Sequence, residues 1–411
     1  MKMQLCLLFN ACLSIASIEH ATAQGVWTQK ASYLGGPTAT GVAFSIGGKG
    51  YAGLGDDSGA SFSKKIYEYD PLSDTWTQKA DFPGAGRTDG VAIVIGDKAY
   101  VGLGDDDGAV PMLQDFWEYD PQNDSWTQKT DFPGGPRTTT AGFSVNGKGY
   151  IGMGDDDNGT LFSDFWEYDP VNDVWNQKAD FAGGERTDET GFSIGNKGYI
   201  AIGSLGGFPN FNDLWEYDPL NDSWTQKADY GGVARASATG FTIDSTEYIG
   251  LGTDDFSLFK NFYAWDKTSD TWTQVANFGG TVRREAIGFS INGKGYAGTG
   301  CCPYKSDFWE FDPAATGVSE NSIVAAGISV YPNPFGENAT LMIPAGMLEL
   351  NNEHLELVLL DLTGRVIREY GITSFSSGQF EIQRGNLTSG VCFFQLRNEK
   401  QIPFTGKLIV E

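Results

Sequence analysis

The sequence R-T-T-T-A-G-F-S-V-N-G-K-G-Y-I-G-M-G-D-D-D at residues 137–157 is followed, after a short loop, by D-F-W-E-Y-D-P-V-N-D-V-W at residues 164–175. This unit occurs six times with changes. Its Trp-x-Gln marker recurs at a step of 48 to 50 residues, at Trp27, Trp76, Trp126, Trp175, Trp224 and Trp272. A fixed step of this size is typical of a repeat array.

Two short apolar runs in this unit, residues 142–145 and 148–153, are separated by Asn146 and Gly147. Asn-Gly tolerates the positive φ angles of a type I′ turn, and the twist of that turn suits antiparallel strands. The two runs therefore predict a β-hairpin. First and second strands are expected at Phe44/Tyr51, Ile93/Tyr100, Phe143/Tyr150, Phe192/Tyr199, Phe241/Tyr248 and Phe289/Tyr296.

The second half of the unit predicts two more strands. Residues 164–168 alternate between the two faces of a strand, and residues 174–178 form a short fourth strand after the turn D-P-V-N-D. Third strands are expected around Tyr69, Tyr119, Tyr168, Tyr217, Trp265 and Phe311. A sheet of four such strands is too small to be stable alone, so neighbouring sheets must stack, and radial stacking gives an all-β propeller.

Six sets of first, second and third strands are present, but the sixth set lacks a fourth strand of its own. An unmatched fourth strand, residues 26–30, precedes the first set. An open ring would leave unpaired strand edges. We therefore expect residues 26–30 to complete the last blade and close a six-bladed ring.

These repeats resemble the kelch family, including the central domain of galactose oxidase. The resemblance rests on the spacing from Tyr119 to Trp126, the arginine that follows at Arg137, and the apolar strand that ends in glycines. The Tyr-to-Trp spacing recurs at Tyr69/Trp76, Tyr168/Trp175 and Tyr217/Trp224. One departure is that the double glycine of the family is Gly-x-Gly-Asp here, as at residues 102–105 and 152–155.

Residues 1–23 predict a secretory signal peptide, with Lys2, an apolar run at residues 5–18 and the cleavage pattern A-T-A at residues 21–23. The alternative, a transmembrane anchor, needs about 20 apolar residues, which this run does not reach. We therefore expect an exported protein without a transmembrane segment.

The composition favours a large β protein, with 55 glycines and 13% aromatic residues. A formal net charge of −25 argues against nucleic acid and anionic membranes as partners. We expect a monomer. Behind the predicted signal peptide only Cys301, Cys302 and Cys392 remain, so the chain is not a disulfide scaffold. The adjacent Cys301 and Cys302 are interpreted either as a vicinal disulfide or as two free thiols.

A change in composition after the propeller, predicted at residues 24–313, indicates a linker at residues 314–327 and a second domain at residues 328–411. Alternating strands and glycine turns in the second domain favour a small β-sandwich. It resembles the type A C-terminal sorting domain of type IX (Por) secretion through four ordered motifs, V-Y-P-N-P-F, L-x-D-x-x-G-R-V, L-x-S-G-V and G-K-L-I-V. The resemblance implies passage through the periplasm to the surface or exterior of a Gram-negative bacterium, with the type IX machinery as partner. An adhesive immunoglobulin-like module is the alternative.

The predicted propeller contains no histidine, because His20 lies in the predicted leader and His354 in the second domain. The copper site of galactose oxidase, which the kelch resemblance would imply, needs histidines and is not expected. Ser-His-Asp and Cys-His nucleophile systems lack their base. We therefore favour a non-enzymatic module that binds a glycan or a protein. The alternative is a sugar-active enzyme, similar to kelch sialate mutarotases or to a copper-free relative of galactose oxidase.

The loops between second and third strands are the longest and most variable, which is where a rigid scaffold usually carries binding residues. Their aromatic side chains could stack on sugar rings or pack between loops: Phe162, Phe208, Phe211, Phe256 and Phe259. Their carboxylates could hold Ca²⁺, which prefers oxygen ligands, or form solvated acidic turns: Asp105, Asp106, Asp107, Asp155, Asp156 and Asp157.

A recurring arginine precedes the first strand of five repeats, with Thr38 in its place in the first repeat. These residues are Arg87, Arg137, Arg186, Arg235 and Arg283. Six-fold placement would arrange them around the central channel, where they could clamp a carboxylate or sulfate. The alternative is that each arginine bonds carbonyls or acids of the next blade.

Overall fold

The computed structural model describes residues 24–57, 62–106, 112–156, 158–316, 329–331, 335–342, 355–361, 365–372, 379–397 and 404–410. The predicted signal peptide, residues 317–327 of the predicted linker and residue 328 lie outside these ranges. The described residues contain strands and no helix, so none of them forms a helix that could cross a membrane. The chain divides into two compact units, one up to residue 317 and one from residue 318.

The described residues of the first unit form 24 strands in six antiparallel sheets of four. The first described strand is β1 (Gln24–Lys30). Blade 1 contains β2 (Val42–Ile46), β3 (Lys49–Gly53), β4 (Ile66–Asp70) and β5 (Thr75–Gln78). Blade 2 contains β6 (Val91–Ile95), β7 (Lys98–Gly102), β8 (Phe116–Asp120) and β9 (Ser125–Lys129). Blade 3 contains β10 (Ala141–Val145), β11 (Lys148–Gly152), β12 (Phe165–Asp169) and β13 (Val174–Lys178).

Blade 4 contains β14 (Thr190–Ile194), β15 (Lys197–Ala201), β16 (Leu214–Asp218) and β17 (Ser223–Lys227). Blade 5 contains β18 (Thr239–Ile243), β19 (Thr246–Gly250), β20 (Phe262–Asp266) and β21 (Thr271–Val275). Blade 6 contains β22 (Ile287–Ile291), β23 (Lys294–Gly298) and β24 (Phe308–Thr316), and β1 is its fourth strand. The six-bladed propeller closed by its N-terminal strand is thereby confirmed.

The hairpin at the start of each blade follows the predicted register. In blade 3, Phe143 is paired with Tyr150, and the turn residues Asn146 and Gly147 have φ angles of 51° and 76°. Both angles lie in the left-handed region that a type I′ turn requires. The other five blades pair the predicted residues in the same way: Phe44/Tyr51, Ile93/Tyr100, Phe192/Tyr199, Phe241/Tyr248 and Phe289/Tyr296.

Ring closure is made by β1, which pairs antiparallel with β24 from Lys30↔Phe308 to Gln24↔Thr316. The register shifts between Gln24 and Val26, where Gly25 has a φ of 91°. Strand β24 therefore continues to Thr316, three residues beyond the end expected from the sequence, because Gln24 supplies a partner for Thr316. The cores lie between blades: Phe143, Tyr150 and Phe165 of blade 3, for example, pack against Ile200 and Tyr217 of blade 4.

The recurring Trp, Tyr and Asp residues fasten each blade to the previous one. In blade 3, the indole nitrogen of Trp175 donates to the carbonyl oxygen of Thr130 at the end of blade 2, at 3.0 Å. The amide of Thr130 donates to the Asp173 carboxylate at 3.0 Å, and the Tyr168 hydroxyl donates to the same oxygen at 2.7 Å. These bonds satisfy polar groups at the blade edges, which explains why the spacing repeats.

The part of the second unit that the structure describes contains two sheets. Its strands are β25 (Ser329–Tyr331), β26 (Asn338–Met342), β27 (Leu355–Leu360), β28 (Val366–Ile372), β29 (Gln379–Gln383), β30 (Gly390–Arg397) and β31 (Phe404–Val410). One sheet has the order β25-β26-β29 and the other β28-β27-β30-β31. Leu341 and Ile382 of the first sheet share a core with Leu357, Phe394 and Leu408 of the second. Two sheets around one core form the expected sandwich.

Candidate functional site on the loop face

The loop face is the end of the propeller that carries the loops between second and third strands and the connections between blades. The recurring arginines lie there, and their side chains are buried. In blade 2, Arg87 donates to both carboxylate oxygens of Asp115, at 2.6 and 2.9 Å, and to the carbonyl oxygen of Leu103 at 2.9 Å. The carbonyl oxygen of Arg87 accepts a hydrogen bond from the amide of Gly55 in blade 1, at 2.8 Å.

The other four arginines repeat this arrangement, as Arg137 with Asp164, Arg186 with Asp213, Arg235 with Asn261 and Arg283 with Asp307. Each arginine therefore forms hydrogen bonds with its own blade through its side chain and with the previous blade through its carbonyl oxygen. Burial acts to raise the pKa of Asp115, but the hydrogen bonds and the charge of Arg87 outweigh it and lower that pKa. These contacts favour the alternative in which the arginines hold blades together.

Three of the five predicted aromatic residues pack on these guanidinium groups. The distance from Cζ of the arginine to the ring centroid is 3.8 Å for Arg137 and Phe162, 4.2 Å for Arg186 and Phe211, and 4.2 Å for Arg235 and Phe259. A cation over an aromatic face is attracted by the ring quadrupole. The three rings are half-buried and serve packing between loops.

Phe208 and Phe256 differ from the other three because they are exposed. Their exposed fractions are 75% and 83%, and their ring centroids lie 6.2 Å apart in an edge-to-face arrangement. The two loops are joined by a hydrogen bond of 3.0 Å from the Asn210 amide nitrogen to the Asp255 carboxylate. Leu205 is also exposed. Phe208, Phe256 and Leu205 are called the aromatic patch.

The predicted acidic residues occupy two different settings. Asp155 accepts hydrogen bonds from the hydroxyl groups of Thr139 and Thr187, at 2.6 and 2.7 Å. Asp156 accepts from the backbone amides of Asn158 and Thr160, at 2.9 and 2.8 Å, as in an Asx turn.

Asp105 forms a backbone bridge with Thr88, Asp106 is half-buried, and Asp107 and Asp157 lie outside the described residues. Among the residues that the structure describes, no group of three or more acidic, Cys or His side chains is arranged to hold a metal. Calcium binding stays a prediction.

A cavity of about 200 Å³ lies on the propeller axis, lined by the first strands of all six blades. In it, one oxygen of Glu189 accepts a hydrogen bond from the Ala141 amide at 3.0 Å, and the other is buried without a hydrogen-bond partner. Burial raises the pKa of Glu189 well above its usual range, so the neutral acid is favoured. Burial also raises the pKa of the adjacent Asp188 to about 6.

Blade 6 contains a second arginine, Arg284, that takes no part in the bonds between blades. It was not identified from the sequence. Arg284 occupies the position held by Ala39, Thr88, Thr138, Thr187 and Ala236 in the other blades. Its Nε lies 3.0 Å from the Glu285 carboxylate, and its side chain is 39% exposed. The thiol of Cys301 donates to the other Glu285 oxygen at 3.2 Å, and Cys301 and Cys302 are not disulfide-bonded. A comparison of equivalent repeat positions would have shown the exception.

Six four-stranded blades closed by the N-terminal strand define a six-bladed β-propeller, the fold that the resemblance to the kelch family predicts. A solved structure titled "Structure of YjhT" is similar to the chain, with a TM-score of 0.56 and 16% sequence identity over 67% of this chain and 94% of that chain. At this identity the likeness shows the fold alone. No curated protein matches the chain significantly.

The second unit is matched by a family model. Residues 329–411 match the secretion system C-terminal sorting domain. This match indicates that the protein is delivered through the type IX machinery to the cell surface or the extracellular space of a Gram-negative bacterium.

Proposed function

We propose that the protein is a non-enzymatic binding module that acts outside the cell and holds a glycan on its loop face. The observation that carries this proposal is the aromatic patch. A cluster of exposed apolar side chains with polar residues around it is typical of a binding surface. Aromatic rings bury a large area with little loss of side-chain freedom when a ligand covers them.

The surroundings of the patch support binding rather than loop packing. Phe162, Phe211 and Phe259 come from the same kind of loop, but an arginine covers each of those rings. Phe208 and Phe256 have each other as aromatic partners and keep most of their surface exposed. The hydrogen bond between Asn210 and Asp255 already joins the two loops that carry these rings. The loops therefore lose less conformational freedom when a ligand binds.

A glycan array with the mature protein tests the proposal. The wild-type protein is expected to bind at least one glycan, and the double variant Phe208→Ala/Phe256→Ala is expected to lose that binding. The matched control is Leu72→Ala, which removes a 92% exposed apolar side chain from a turn on the opposite face. Equal binding by the wild type and the double variant would contradict the assignment of the patch. Binding to proteins but to no glycan would favour a protein ligand.

A sugar-active enzyme is the second candidate, and Arg284 is the observation that favours it. Arg284, which takes no part in the bonds between blades, lies beside Glu285, and the charges of both residues act on Asp188 of blade 4. Such convergent charged groups are typical of a catalytic site. The test is the rate at which the anomers of sialic acid and galactose interconvert, measured by NMR. An acceleration by the wild-type protein that Glu285→Gln abolishes would support catalysis, and an unchanged rate would contradict it.

A further inference from the structure

Blade 1 differs from the other five blades at the site of the arginine. Thr38 stands in place of the arginine, and Lys65 stands in place of its partner, which is Asp115 in blade 2. Ser63 occupies the position of the phenylalanine that covers the arginine in blade 3, Phe162. Thr38 and Ser63 are smaller than the residues at these positions in blade 3, and Lys65 replaces an acidic or amide side chain with a cation.

A cavity of about 300 Å³ occupies this position in blade 1. Its walls include the counterparts of residues that contact the guanidinium group elsewhere. Tyr33 corresponds to Phe82, whose ring lies 4.6 Å from Cζ of Arg87, and Leu54 corresponds to Leu103, whose carbonyl oxygen accepts from Arg87. The cavity is therefore the arginine site of the repeat, left without its arginine.

The lining of this cavity offers both donors and acceptors around aromatic rings. Lys64, Lys65, Asp57 and Asp81 belong to this lining, and all four residues are exposed. The two positive and two negative groups give no net charge, which favours a neutral ligand over an ion. An arginine side chain from a protein partner would lie beside Lys65, whereas the other blades supply a carboxylate or an amide at that position. The repulsion between the two positive charges argues against an arginine as the ligand.

We propose that this cavity binds a single neutral sugar unit of a glycan. The half-buried Phe62 offers an aromatic ring for the C–H face of a pyranose ring, and the lysine and aspartate side chains exchange hydrogen bonds with its hydroxyl groups. A volume of about 300 Å³ is at the lower end of ligand pockets, which fits one sugar rather than an oligosaccharide. The inference rests on the proposed function for its ligand class, but the cavity lies in blade 1 and the aromatic patch in blades 4 and 5.

The other blades supply the variant that tests this site. Thr38→Arg/Lys65→Asp restores the pair found in blade 2 and fills the cavity, and Ser63→Phe fills it from the position of Phe162. Binding of glucose, galactose, mannose and N-acetylglucosamine to the full chain is measured by saturation-transfer NMR. At least one sugar is expected to give signals with the wild type. Those signals should fall at least about tenfold in both filled variants and persist in Phe208→Ala/Phe256→Ala.

Three results would overturn the inference. They are the absence of signals from all four sugars, equal signals from the wild type and a folded filled variant, and signals lost only in the Phe208→Ala/Phe256→Ala variant. Loss of signals only in the Phe208→Ala/Phe256→Ala variant would still agree with the proposed function, because it would place sugar binding at the aromatic patch alone. Ser63→Phe decides the outcome if the double variant does not fold, because it changes no charge.

Discussion

The indole nitrogen of Trp27 donates a hydrogen bond to the carbonyl oxygen of Ala276 at 3.1 Å, across 249 residues of sequence. Trp76 makes the equivalent bond to Ala31 at 3.1 Å, so the strand that closes the ring is fastened to blade 5 on one side and to blade 1 on the other. The ring of Trp27 also contacts Phe241, Phe262, Phe278 and Phe311. The N-terminal strand is thus part of two blade interfaces.

Removal of residues 24–31 is expected to destabilise the propeller severely. It would expose the edge of β24 and the aromatic cluster around Trp27, and it would remove the carbonyl acceptor of Trp76. The truncated propeller should therefore lose most of its free energy of unfolding, which is usually about 5 to 15 kcal/mol. Thermal melting compares the truncated protein with its parent. Melting within a few degrees of the parent would contradict the role given to this strand.

Glu247 is expected to make stability fall as pH rises. The residue is buried in blade 5, and burial raises its pKa from 4.5 to about 8. The unfolded chain loses this proton near pH 4.5, whereas the folded protein keeps it until about pH 8. The folded state therefore binds the extra proton between these values, and stability decreases with pH across this window.

Urea unfolding of the wild type and Glu247→Gln at pH 6 and pH 8 measures this effect. Relative to the variant, the wild type should lose about 2 to 3 kcal/mol between the two pH values. The control is Glu185→Gln, which removes the same charge from an exposed position. The assignment is wrong if Glu247→Gln and the control show the same dependence on pH as the wild type.

Arg137→Ala is expected to cost about 3 kcal/mol of unfolding free energy, because it leaves the Asp164 carboxylate without its buried partner. Arg235→Ala should cost less, since its partner is the neutral Asn261 and no carboxylate is left unpaired. Urea unfolding of both variants measures the difference. Equal losses of unfolding free energy in the two variants would contradict the ion pair with Asp164 as the main contribution of Arg137 to stability.

Deletion of residues 328–411 is expected to leave a folded propeller in the periplasm, because the sorting domain is the part of the chain that matches the secretion family. Fusion of the same residues to an unrelated periplasmic protein should carry that protein to the surface or the medium. Fractionation of a native host measures both. Parental surface levels of the truncated protein would contradict the role of this domain.

The fold could be predicted because each blade repeats the same short-range features. The Asn146-Gly147 turn fixes a hairpin, and the Trp spacing fixes the step between blades. The sites could not be predicted as well, because they depend on contacts between residues far apart in sequence. Phe162 and Phe208 belong to the same type of loop, but only the structure shows that Arg137 covers the first.

The cavity in blade 1 shows the same limit. Thr38 is visible in the sequence as an exception among the arginines. Lys65 is not, because the arginine and its partner are 28 residues apart in blade 2 and their pairing emerges only in the fold. Arg284 does not stand out in the sequence because the recurring Arg283 precedes it.

The most direct test of binding on the loop face is calorimetric titration of the strongest glycan from the array into the wild type, Phe208→Ala/Phe256→Ala and Leu72→Ala. We expect the double variant to bind at least about 10-fold more weakly, which corresponds to about 1.4 kcal/mol or more, and Leu72→Ala to bind as the wild type does. Equal dissociation constants for all three proteins would contradict the aromatic patch as the binding surface.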